Sequence, residues 1–115
     1  MNSKDIILAP DGHYVDLSKV VAVSPTKSVP ADFVVAKGFD IWFTPEGIPF
    51  KEDNCFKITV KKEYVRPHIE KEWRTEVGIT EEGREILRIF SEECSNKMEL
   101  ERLAFIDSWK AWKEI

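Results

Sequence analysis

The residues of this chain that could run chemistry are few, and their spacing does not gather them. His13 and His68 are the only histidines. A nucleophile needs a base within reach and a third group to orient that base, and neither histidine stands in such a motif. His13 follows Asp11 and Gly12 in turn-forming sequence, and Asp11 with His13 makes two ligands where a metal asks for more. Cys55 and Cys94 lie far apart, with no CxxC or Cys/His spacing around them, which reads as two reduced, partly buried thiols. Glu81-Glu82 and Glu92-Glu93 have the pattern of wet helix faces. No G-x-S-x-G, H-E-x-x-H, P-loop or G-x-G-x-x-G occurs. The expectation is a protein without catalysis, cofactor or metal; an enzyme of unfamiliar type would need His13 or His68 in a pocket.

Binding residues are better represented. All the arginines (Arg66, Arg74, Arg84, Arg88 and Arg102) fall in the second half, and the first half uses lysine alone. Arginine clamps carboxylates and phosphates in a fork, so an anionic ligand or an acidic partner surface would be met there. Aromatic residues accompany them, and this is the composition enriched at interfaces. The candidate ligand- or partner-binding residues are Trp42, Arg66, Trp73, Arg84, Arg88, Arg102, Trp109 and Trp112. The competing reading of Arg84, Arg88 and Arg102 is salt bridging along a helix with Glu81, Glu85 and Glu92. For the aromatics it is a place in the core.

These residues need elements to hold them, and 115 residues fit a single domain, 1–115, able to bury a core without staples. The predicted class is α+β: an N-terminal curved antiparallel sheet or small open barrel (1–79), then a C-terminal helical hairpin (80–115). Ile6 to Ala9, Val15 to Leu17 and Val20 to Val23 read as short strands, Ser24 to Ala31 as a loop. Phe33, Val35, Phe39, Ile41 and Phe43 alternate as one strand face, with a bulge or turn expected at Lys37-Gly38. Trp42 falls on the other face, where a C-terminal helix would cover it. Pro45 to Asn54 is a connection that leaves Phe50 in a loop, and Phe56, Ile58 and Val60 alternate as a further strand. Tyr64 to Ile79 fits a short helical or irregular segment followed by a strand.

Thr80 can cap a helix whose buried stripe is Ile86, Leu87, Ile89, Phe90 and Cys94. Ser95-Asn96 is expected to break it, and Asn96 with Glu99 makes a capping-box pattern for a second helix. That last helix is apolar on two sides: Met98, Phe105, Trp109 and Trp112 on one arc, Leu100, Leu103, Ala104 and Ile106 on the other. A helix with two apolar stripes needs a covering layer on each side or a partner chain.

Gly78 to Leu87 resembles the strand-to-helix junction that follows the wing in winged-helix transcription regulators. The likeness spans those ten residues and is read as shared helix-start chemistry, since residues 1–63 alternate like strands where that family places helices. With 17 basic and 21 acidic residues, the net charge of −4 argues against nucleic acid and anionic membranes as partners. No run reaches the length of a spanning helix, and the start lacks a secretory signal. The sequence reading is therefore a small cytoplasmic binding protein of inhibitor, immunity or anti-defence type. It would form a dimer or higher homo-oligomer through the final helix and block a protein or a small anionic, nucleotide-like ligand. A nucleic-acid-binding regulator is the alternative.

Overall fold

The computed structural model describes residues 6–44, 55–76 and 78–114, so the expected Pro45–Asn54 connection and Phe50 lie outside the described residues. The class is α+β: strands in the N-terminal part, one helix at the end. β1 (Ile6–Leu8) and β2 (Tyr14–Asp16) pair as an antiparallel hairpin through a turn in which Gly12 takes φ 94°, where a side chain would be strained. Asp16 then caps a 3-10 turn by accepting from the Ser18 N–H. This places Ala9, Val15 and Leu17 in the core.

β3 (Val20–Val23), β4 (Lys27–Val29), β5 (Val34–Phe43) and β6 (Phe56–Val65) form the main sheet. β5 is its spine, with β3 and β4 end to end along one side and β6 along the other, all antiparallel. The expected loop at Ser24–Ala31 thus contains a strand, because β5 offers free backbone groups beside it. Among the described residues β6 pairs with β5 alone, so the sheet stays open and no barrel closes. No bulge interrupts Lys37-Gly38: β5 and β6 stay in register from Val34↔Val65 to Phe43↔Phe56. Glycine allows this approach, since a Cβ at Gly38 would collide with the Val60 carbonyl oxygen. Phe33, expected to begin the strand face, sits before β5 at φ 65° and is 87% exposed.

β7 (Arg74–Thr75) and β8 (Gly78–Ile79) make a small separate hairpin after a 3-10 turn at Lys71–Trp73. The ambiguous 64–79 stretch therefore resolves into the end of β6, an irregular segment and short strands. The C-terminal hairpin does not form: α1 runs unbroken from Glu81 to Lys113, 33 residues. Ser95 and Asn96 are weak breakers that cost about 0.5 kcal/mol each in a helix. Cys94 and Met98, both fully buried on either side of them, hold the backbone in one helical line. Thr80 caps α1 by accepting from the Gly83 N–H, with Glu81 and Glu82 at the positive end and Lys110 and Lys113 at the negative end.

Phe39, Ile41 and Val60 meet Met98 and Phe105 in the core between sheet and helix. The Phe39 and Phe105 rings lie 5.9 Å apart, tilted 52°. At 1.5 Å per residue α1 spans about 50 Å, well beyond a sheet of ten-residue strands. Hence the molecule measures 58 × 28 × 18 Å, with a radius of gyration of 18.2 Å, against about 13 Å for a compact chain of this length.

Candidate functional site

Both bodies packed on α1 lie on one side of it. Gly83 abuts Ile79 and Trp73 of the small hairpin region, while Cys94, Met98 and Phe105 are buried beneath the main sheet. At 100° per residue these four positions fall within an arc of about 60°. Among the described residues the roughly opposite side is exposed over most of its length. Glu82, Ile89, Glu93, Asn96, Leu100, Leu103 and Asp107 are all exposed and Ile86 is half-buried. Leu100 is 70% exposed, Leu103 44% and Ile89 43%. Of the two stripes on the helix, the one with Met98 and Phe105 faces home and the one with Leu100 and Leu103 faces away.

The nominated residues divide accordingly. Trp73, Arg84 and Arg88 come together around Ile86 in an open groove of about 860 Å³, bordered also by Glu81, Glu82 and Glu85. Arg88 is engaged within its own helix by Glu85 and Glu92, and both partners hold its guanidinium well above its ordinary range. Glu85, hydrogen-bonded by Arg88, is correspondingly held below its ordinary value. Arg102 donates to the Ser24 carbonyl at 2.7 Å and to Glu99 at 2.8 Å, tying α1 to the chain beyond β3. Arg66 is exposed just past β6 and does not line the groove.

The tryptophans near the C-terminus are not at a free surface. Trp109 and Trp112 pack against the core, and the Lys113 ammonium lies 3.9 Å from the Trp109 ring centre, a cation–π contact. Trp42 is on the sheet face opposite Phe39 and Phe43, so α1 does not cover it; the Lys57 ammonium lies 5.3 Å over its ring.

That outer face holds a cluster the sequence pattern did not flag. Asp40 is buried, yet its carboxylate receives Lys27 at 2.7 Å, Thr59 at 2.7 Å and Lys57 at 3.6 Å. Burial pushes the Asp40 carboxyl upward, but the hydrogen bonds and charges of Lys27, Thr59 and Lys57 outweigh it and hold the group below its ordinary value. Once β4 and β6 flank β5, Thr59 stands opposite Asp40, and Lys27 and Lys57 stand diagonally from it, opposite Gly38 and Trp42.

A second polar group lies under α1. Lys62 pairs with Glu101, which raises the lysine above its ordinary range, while burial pushes Tyr64 and Cys94 up. Cys94 is fully enclosed and has the character of an inert thiol. His13 contacts Asp11 at 2.7 Å on the surface, and no cluster of three or more metal-ligating side chains occurs among the described residues. No described helix is long and apolar enough to cross a membrane. What the geometry offers is a rigid helix presenting an apolar stripe. Comparison with family models, with curated proteins and with solved structures found no match.

Proposed function

We propose that this chain is a small non-catalytic cytoplasmic binding protein that self-associates through its C-terminal helix and acts by occupying a partner, as inhibitors, immunity proteins and anti-defence proteins do. The observation that carries this reading is the exposed row Ile89, Leu100 and Leu103, extended by the half-buried Ile86, held away from the domain's own core on a helix 33 residues long. A monomer leaves that row in water, and apolar area removed from water contributes about 25 cal/mol per Å².

A protein partner is favoured over a small anion. Arg88 and Arg102 are already engaged by glutamates and a backbone carbonyl, and three glutamates border the groove that holds Arg84. An incoming phosphate would have to displace those carboxylates. Light scattering on the purified chain should return a mass above the 13.3 kDa of one chain, falling towards it in Leu100→Asp. A monomer at all concentrations up to hundreds of micromolar would overturn the reading. Thermal shift against linear and cyclic nucleotides should show no rise; a saturable rise would restore the small-anion alternative, since a ligand that binds only the folded state must stabilise it.

A further inference from the structure

Glu82, Ile86, Ile89, Glu93, Asn96, Leu100, Leu103 and Asp107 follow one another in alternating steps of four and three along α1. That is the seam spacing of a two-stranded coiled coil. The seam is also a near palindrome in character. Ile86 and Ile89 stand as far before the midpoint between Glu93 and Asn96 as Leu103 and Leu100 stand after it. We infer that the occupant of this face is the same face of a second copy, running antiparallel, with the two-fold axis passing between Glu93 and Asn96.

This inference rests on the self-association proposed above and specifies its geometry. A two-fold contact must be complementary to itself, and antiparallel pairing meets that condition layer by layer. Ile86 of one copy packs on Leu103 of the other, Ile89 on Leu100, and the Glu93 carboxylate accepts from the Asn96 side-chain amide. Parallel pairing would set Glu93 against Glu93 in one layer, whereas antiparallel pairing offsets the two carboxylates by about 4.5 Å along the axis and gives each an Asn96 amide. It would also align the two helix dipoles, which antiparallel pairing opposes.

The paired stretch from Ile86 to Leu103 is about 26 Å long. It ends where Glu82 of one copy meets Asp107 of the other, so like charges close the seam at both ends. The main sheet, and the contact of Gly83 with Ile79 and Trp73, lie on the far side of each helix, and the seam comes nearest the small hairpin region at the half-buried Ile86. Moreover, the groove beside Trp73, Arg84 and Arg88 borders Ile86, the position that receives Leu103 of the second copy.

The test is the distance between spin labels on Ala111→Cys in a Cys55→Ser background, with Cys94 enclosed and unreactive. Antiparallel pairing puts the two labelled positions about 50 Å apart along the helix axes; parallel pairing puts them within about 20 Å. Light scattering on the same sample establishes whether a dimer is present. A dimer with the long distance, weakened at least tenfold by Leu100→Asp without loss of helical signal, is the expected result. A dimer with the short distance overturns the antiparallel geometry and leaves self-association standing. A monomer overturns both. A long-distance dimer that Leu100→Asp and Leu103→Asp leave intact overturns the surface.

Discussion

The Lys27 ammonium meets the Asp40 carboxylate at 2.7 Å on the sheet face that α1 leaves open. The contact joins β4 to β5 by a charge pair as well as by backbone hydrogen bonds. It also places a buried acid where two lysines and a threonine decide its protonation.

Asp40 is ionised more readily in the folded chain than in the unfolded one. Its stabilisation is therefore fully present above the unfolded carboxyl value and is lost as pH falls through the depressed folded value. Asp40→Asn is expected to cost about 1–3 kcal/mol at neutral pH, and the gap to the parent should close on acidification. Urea unfolding across the acid range checks this; a gap independent of pH would remove the assigned role.

Gly38→Ala should destabilise by about 1–3 kcal/mol. Its new methyl would meet the Val60 carbonyl and the Lys61 backbone, which cannot rotate aside as a side-chain end can. Denaturant midpoints measure the effect, and an unchanged midpoint would mean that β5 and β6 separate more easily than their register implies.

Met98 and Leu100 are two residues apart on α1, yet one is fully buried and the other 70% exposed. Met98→Ala should cost about 2–5 kcal/mol by opening a cavity. Leu100→Ala should change the unfolding of the dilute monomer by within about 0.5 kcal/mol. Equal costs would contradict the assignment of helix faces.

Salt should strengthen self-association. Glu82 of one copy faces Asp107 of the other at both ends of the proposed seam, and both residues are exposed. Screening exposed like charges lowers that repulsion. Sedimentation or light scattering from low to moderate sodium chloride should show the average mass rise; a fall would indicate a contact held by opposite charges.

Period-two alternation in the sequence located the core face of β5 and β6, and Phe39, Ile41, Phe43, Ile58 and Val60 lie where it put them. The Ile6, Val15 and Val20 strands were legible from their turn residues. The unbroken helix was not, because Ser95-Asn96 and a capping-box pattern are local signals, and burial of Cys94 and Met98 against the sheet overrides them. Splitting the helix at Ser95-Asn96 assigns Ile86 and Ile89 to the buried stripe of one helix and Leu100 and Leu103 to the second face of another; in the unbroken helix Ile89, Leu100 and Leu103 share one exposed side. Nearness to the C-terminus points Trp112 towards a surface, but a helix that lies over the sheet brings its last turns home, and Trp112 packs against the core beside Trp109.

β6 presents ten residues of backbone whose outer side has no partner among the described residues. Such an edge is a template for any extended chain, including another copy, and can seed fibrous aggregates. Lys57, Lys61 and Glu63 are exposed along it and Lys62 is half-exposed, and stacking these charges strand upon strand would set like against like. Those charges oppose such stacking, and replacing Lys57 and Lys61 with valine or threonine is expected to raise the tendency of this edge to aggregate.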